Sequence, residues 1–172
     1  MPCFLALFLL YSPQLTARVQ YYSSMAAYIK NRKVRFNFEI LETFEAGLVL
    51  KGYEVKSIRA GKGKIDGAYV IVRGAEAFLV GASIAAFQPA NTPKSYDPEQ
   101  PRKLLLSKKQ LAKIENQTET ARLTCVPLSL YNSGGKIKLE IALARGKKKA
   151  DKRQTMKARD TKRDIERTLK SQ

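Results

Sequence analysis

Lys136-Ile137-Lys138-Leu139-Glu140-Ile141-Ala142-Leu143 alternates with a period of two, so Ile137, Leu139, Ile141 and Leu143 share one face of a β-strand. Just upstream, Asn132-Ser133-Gly134-Gly135 supplies a hairpin turn, because paired glycines accept the positive φ of a tight connection. Residues 123–131 then form the partner strand, with Val126, Leu128 and Leu130 expected on one face. One such hairpin needs further strands to cover its apolar face. Residues 68–73 and 77–82 predict a second hairpin about Gly74, 36–43 an opening strand, and 47–50 a further short one.

Two short helices interrupt the strands. Residues 53–60 carry Val55 and Ile58 at i, i+3, and 107–116 open with Ser107 and Gln110 spaced as a capping box, ahead of Leu111 and Ile114. Pro89, Pro93, Pro98 and Pro101 make 88–101 a stiff loop. About six short antiparallel strands without alternating long helices predict a mainly β fold, a small closed antiparallel OB-type barrel. It occupies residues 25–144 and is followed by a basic C-terminal tail, 145–172.

Composition narrows the chemistry. The chain has 172 residues, 32 Lys plus Arg against 15 Asp plus Glu, and a net charge of +17. That surplus calls for a polyanionic partner, nucleic acid first and anionic membrane second. Histidine is absent, which excludes a Ser-His-Asp triad, a Cys-His dyad and a His-ligated zinc site. Cys3 and Cys125 cannot build a disulfide framework, and the chain reads as cytoplasmic. No metal, cofactor or small-molecule substrate is expected. Enzyme chemistry without histidine would need a Ser-Lys arrangement or a carboxylate pair, and the acids are too dispersed to nominate either.

Residues 1–24 differ from the rest. Phe4-Leu5-Ala6-Leu7-Phe8-Leu9-Leu10 is apolar throughout but too short to span a bilayer. Three readings stand: a true start at Met25 with a non-native leader, a disordered or processed leader, or membrane targeting. The first is preferred, and no membrane partner is expected.

The tail carries twelve basic residues between Arg145 and Lys170 against four acidic ones. Met156, Ile165 and Leu169 are too scattered to face a core, so the tail is expected to be disordered when free and helical against phosphates. At the other end Lys30, Arg32, Lys33 and Arg35 interleave with Tyr28, Phe36 and Phe38, which suits stacking on unpaired bases, although Phe38 is expected in the core. Gly61-Lys62-Gly63-Lys64 lacks phosphate-loop spacing and reads as a basic turn. Glu45 and Glu54 could each accept from a base edge or pair with a neighbouring cation. Arg102-Lys103 places charge at the mouth of Leu104-Leu105-Leu106, and Cys125 reads as a small core residue.

Taken together, Asn31-Arg32-Lys33, Phe44-Glu45-Ala46-Gly47, Glu54-Val55-Lys56-Ser57-Ile58-Arg59-Ala60-Gly61-Lys62, Arg102-Lys103-Leu104-Leu105-Leu106 and Ala144-Arg145-Gly146-Lys147-Lys148 with Asp151-Lys152-Arg153 resemble the SmpB (SsrA-binding protein) family of bacterial trans-translation. The resemblance covers residues 31 to about 159. It implies a non-enzymatic RNA adaptor, binding the tRNA-like domain of transfer-messenger RNA (tmRNA) and carrying it to ribosomes stalled on truncated messages. The tail would enter the decoding centre of the small-subunit rRNA and the mRNA channel.

Family positions tied to RNA match Glu45, Leu105 and Lys138. The expected tmRNA-binding set is Asn31, Arg32, Lys33, Phe36, Glu45, Arg102, Lys103, Leu105 and Lys138. The ribosome-directed tail set is Gly146, Lys147, Lys148, Asp151, Lys152 and Arg153. Leu105, being apolar, is expected to support the binding surface rather than touch RNA. Three positions depart from the pattern: Ala150 where many members have His or Tyr, Phe36 where many have His, and Gln100 where Arg is frequent, which removes a possible phosphate contact. The alternative function is a general OB-fold RNA-binding or ribosome-associated protein without a rescue role.

Overall fold

The computed structural model describes residues 27–148 and, beyond them, Asp151, Arg153, Met156, Thr161, Asp164, Arg167 and Thr168. The expected leader, Lys152 and the departure at Ala150 lie outside the described residues. Among the described residues up to Lys148, nine strands and three α-helices follow one another in the order β1 (Ala27–Lys30), α1 (Val34–Asn37), β2 (Phe38–Leu48), α2 (Gly52–Arg59), β3 (Gly63–Lys64), β4 (Tyr69–Arg73), β5 (Glu76–Val80), β6 (Ser83–Ile84), β7 (Arg102–Leu105), α3 (Lys108–Thr120), β8 (Thr124–Ser133) and β9 (Lys136–Gly146). The fold is mainly antiparallel β. Seven strands form one sheet in the order β1-β8-β4-β5-β7-β2-β9, and β9 also pairs with β8, so the pairing returns on itself like a ring.

The β8–β9 hairpin forms as its sequence dictates, with Gly134 at φ +57° and Gly135 at φ +77° in the turn. Ile137, Leu139, Ile141 and Leu143 all enter the main core with Leu79, Ile84 and Leu130. Helix α3 begins where Ser107 and Gln110 cap it, and its Ile114 is buried in the same core. It runs to Thr120, four residues past expectation, because Ala121 N–H still reaches Gln117 O at 3.2 Å.

Bulges account for the differences in strand faces. Val126, Leu128 and Leu130 do not share a face: the β8–β9 register shifts between Pro127 and Ser129. Leu130 points into the main core, whereas Val126 and Leu128 join a second cluster with Val34, Ala142 and Ala144. Pro127, which has no N–H to give a ladder, sits at that shift. The expected strands 36–43 and 47–50 are one strand, β2, bulged between Ile40 and Glu42. That bulge turns Phe38 and Ile40 toward the second cluster and Phe44 and Leu48 toward the main core. Phe36 is not in a strand. It lies in the single turn of α1, which lays the buried Val34 over the second cluster.

The basic turn at 61–64 is in part a strand, because Gly63 and Lys64 pair with Ile84 and Ser83. Cys125 is a core residue, 1% exposed. The described residues beyond Lys148 are helical and exposed.

Candidate nucleic-acid interface

Strand β2 organises the surface. Gly47 is the register partner of Leu105 on β7 and of Lys138 on β9, and Lys138 is in turn the partner of Tyr131 on β8. One row of register partners therefore crosses four strands: Tyr131, Lys138, Gly47, Leu105. Ala46, Leu104, Leu130 and Leu139, one residue away on each strand, are buried in the core, so the row lies on the outward face. Two residues before Gly47, Glu45 stands opposite Glu140 on the same face. The three positions the family resemblance ties to RNA, Glu45, Leu105 and Lys138, thus meet at one place.

Both oxygens of Glu45 are held. The Tyr131 hydroxyl donates to Oε2 at 2.5 Å, and Lys138 Nζ lies 3.3 Å from Oε1. Tyr131 is only 2% exposed, so its ring anchors the pair from below while Glu45 and Lys138 remain half-exposed. The neighbouring Glu140 accepts from Ser129 Oγ at 2.9 Å. Leu105 is 55% exposed, a large apolar side chain in the open. It lies against β2 because Gly47 has no side chain: a Cβ there would stand 3.2 Å from Leu105 Cβ. Neither Gly47 nor Tyr131 is a candidate from the sequence. For Gly47 the available signal is a glycine inside a strand, which marks close approach of a neighbour. Tyr131 carries no local signal.

Two hollows flank this row. One, about 440 Å³, is lined by Leu48, Leu50, Val55, Leu105 and Ile137, with Lys136 and Lys138 beside it. The Arg59 guanidinium donates to Gly135 O at 3.1 Å and ties α2 to the hairpin that walls it. The other, about 290 Å³, is lined by Glu42, Phe44, Glu45, Gln110, Tyr131 and Glu140. A surface that combines an ammonium, a fixed carboxylate and exposed apolar area can bind phosphate, accept from amino groups of a base edge, and pack on ribose or base.

Other expected site residues divide into surface and interior. Arg32 and Lys33 are exposed, Lys33 lying 3.7 Å from Asp66. Phe36 is half-buried. Lys103 is exposed and bonded to Glu76.

Asn31 and Arg102 are not surface contacts. Asn31 is 8% exposed, and its amide donates to Ile65 O at 3.0 Å and Pro127 O at 3.3 Å, stitching the N-terminal segment to the β8 bulge. Arg102 is buried and its three nitrogens are all engaged. Nε donates to Glu54 at 3.0 Å, Nη1 to Ala82 O and Gln100 O, and Nη2 to Pro98 O and the Tyr96 hydroxyl. Strand β7 therefore inverts the expected order: Arg102 and Leu104 point inward, Lys103 and Leu105 outward. Gln100 belongs to the same network, donating to Glu54 at 3.2 Å, so position 100 faces the interior rather than a phosphate. Glu54 is the structural member of the two glutamates considered.

At the start of the tail, Gly146 pairs with Phe38, Lys147 N–H donates to Asn37 O at 2.9 Å, and Lys147 Nζ donates to Arg35 O at 3.1 Å. Lys148 N–H donates to the Asp151 carboxylate at 3.2 Å, and Arg153 is exposed. Among the described residues no helix is long and apolar enough to cross a membrane.

Known proteins resemble this chain over most of its length. A sequence model described as SmpB protein matches residues 28–171. The SsrA-binding protein of Aromatoleum aromaticum is 49% identical over 142 residues, 83% of this chain and 96% of that protein. That of Thermosynechococcus vestitus is 47% identical over 141 residues, 82% of this chain and 93% of that protein. A solved structure described as "tmRNA-SmpB: a journey to the center of the bacterial ribosome" superimposes with a TM-score of 0.59 at 43% identity, covering 70% of this chain and 85% of its own. The match runs from the first strand through the basic tail and takes in the row built on Gly47, and on that extent the chain belongs to the SmpB family.

Proposed function

We propose that this chain is a non-enzymatic, cytoplasmic RNA-binding adaptor that binds the tRNA-like domain of tmRNA and delivers it to stalled ribosomes for trans-translation. The observation that carries this reading is the outward row of Tyr131, Lys138, Gly47 and Leu105 with Glu45 fixed beside it, in a chain of net charge +17 whose relatives are SsrA-binding proteins.

The ring-like sheet acts as a small closed OB-type barrel, the RNA-binding domain assigned to 25–144. Its outward face takes the elbow of the tRNA-like domain through Glu45, Lys138 and Leu105, with Arg32, Lys33, Phe36 and Lys103 as outlying contacts. Asn31 and Arg102 serve this face indirectly by holding the fold. The basic tail carries its helix into the decoding centre and message channel, where Gly146, Lys147, Lys148, Asp151, Lys152 and Arg153 act. Twelve clustered basic residues repel one another in solution, and ribosomal phosphates remove that repulsion.

The test is RNA capture followed by tagging. RNA copurifying with the full chain should be enriched in tmRNA. A chain ending at Ala144 should keep most of its affinity for the tRNA-like domain over an unrelated structured RNA at matched salt, yet fail to support tagging on stalled ribosomes. Equal binding to both RNAs would replace this reading with general RNA binding.

A further inference from the structure

The same backbone-to-side-chain bond recurs in three helical segments among the described residues. At α2 the Glu54 carboxylate accepts from Lys51 N–H at 2.8 Å, and at α3 the Gln110 side-chain carbonyl accepts from Ser107 N–H at 3.0 Å. At the tail the Asp151 carboxylate accepts from Lys148 N–H at 3.2 Å. In each case the acceptor lies three residues after the donor, the spacing at which a side chain in the first helical turn reaches back to the residue before the helix. Lys51 with Glu54 and Lys148 with Asp151 each pair a lysine N–H with a carboxylate.

The bond sits where the fold lets go of the chain. Gly146 still pairs with β2, and Lys147 is still tied to α1 through its N–H and its ammonium. Lys148 is free of the sheet, and Asp151 is already helical. The last residue anchored to the folded domain, Lys147, and the residue whose N–H Asp151 holds, Lys148, are adjacent in sequence.

We propose that Asp151 is a positioning residue that starts the tail helix by capping Lys148, rather than a contact to RNA. This rests on the ribosome-directed role given to the tail above. A carboxylate turned toward phosphates would oppose binding, whereas in the first turn of a helix it faces the positive end of the helix dipole. Lys147, Lys148 and Lys149 have side chains that donate only, so none of them can cap in its place. Asp151 thereby fixes the residue at which the helix begins, and with it the set of cations that each helical face presents.

Helix formation in the full chain is followed by far-UV circular dichroism and amide shifts across a trifluoroethanol titration, a readout independent of RNA. Asp151→Ala should lower the helix–coil equilibrium of the tail on the order of fivefold and move the midpoint to higher alcohol. Asp151→Glu, which keeps a carboxylate within reach, should match the parent. Lys148→Ser with Asp151→Ala should regain the helix of Lys148→Ser alone, because a serine hydroxyl can cap the first turn. In tagging assays Asp151→Ala should fail, Asp151→Glu should succeed, and the double variant should equal Lys148→Ser. An unchanged helix in Asp151→Ala overturns the proposal. So does a double variant that matches Lys148→Ser in helix but tags less than Lys148→Ser, because Asp151 would then act against the ribosome itself. A parent chain that never tags overturns the function proposed above, while the helix titration still decides the cap.

Discussion

The Arg102 guanidinium and the Glu54 carboxylate meet at 3.0 Å with both side chains 2% exposed, forty-eight residues apart in sequence. Around them, the Tyr96 hydroxyl donates to Ile84 O at 2.7 Å, and Arg102 reaches Ala82 O and Pro98 O. One buried ion pair thus joins α2, β7, the residues flanking β6 and the proline-rich loop. Breaking such a pair leaves a charge buried without its partner, which costs about 3–5 kcal/mol.

Arg102 and Lys103 are neighbours with opposite roles, and substitution should separate them. Arg102→Met should lower unfolding stability by about 3–5 kcal/mol, while the molecules that remain folded bind RNA with unchanged salt dependence. Lys103→Ala should leave stability within about 0.5 kcal/mol and reduce the slope of log affinity against log salt by up to about one. Denaturant melts and a salt series of binding curves check both; a salt-slope change confined to Arg102→Met would reverse the assignment.

Acid should weaken the fold through Glu54. Burial works to raise its pKa, but the Lys51 N–H, the Arg102 charge and the Gln100 amide outweigh burial and leave it below the ordinary value of 4.5. A folded pKa below the unfolded one means the carboxylate stabilises the protein above that ordinary value, and the contribution is lost as pH falls through the folded value. Stability should therefore drop more steeply below about pH 4.5 in the parent than in Glu54→Gln, which starts less stable at pH 7. Parallel acid slopes for the two proteins would contradict this.

Glu45→Gln should weaken binding of the tRNA-like domain more than binding of an unrelated RNA, because a carboxylate accepts more strongly than an amide. Tyr131→Phe should act in the same direction, since it frees Glu45 Oε2 from its 2.5 Å donor. Tighter binding of both RNAs by Glu45→Gln, with the fold intact, would mean that Glu45 serves only Lys138 and Tyr131.

Gly47→Val should displace Leu105, whose Cβ lies 3.2 Å from where the new side chain begins. The expected costs are about 1–3 kcal/mol of stability from overpacking and roughly tenfold in RNA affinity. Amide shifts should move on β2, β7 and β9 together. Unchanged affinity would remove Leu105 from the binding surface.

Cys125 should resist thiol reagents in the folded protein. Burial pushes its pKa up to about 12, so at pH 8 the thiolate is scarce. In a Cys3→Ser background, modification should run on the order of a thousandfold slower than in the unfolded chain. Rapid labelling of the native protein would show that the core around β8 opens readily.

The sequence by itself determined whatever rests on local repetition. The alternation of 136–143 put Ile137, Leu139, Ile141 and Leu143 in the core, two glycines set the hairpin, Ser107 and Gln110 started α3, and the charge surplus named a polyanionic partner. Tertiary structure decided what depends on distant neighbours. In Arg102-Lys103-Leu104-Leu105, hydropathy sends the arginine out and both leucines in. Instead Arg102 turns inward to Glu54, and Leu105 turns outward across Gly47. Bulges in β2 and β8 exchange the faces of a strand by one residue, and nothing in the alternation before them announces the slip. The candidate site has the same origin. Glu45, Gly47, Leu105, Tyr131 and Lys138 come from four strands, and only the register of those strands brings one carboxylate, one ammonium, one phenol and one bare backbone position into a single patch.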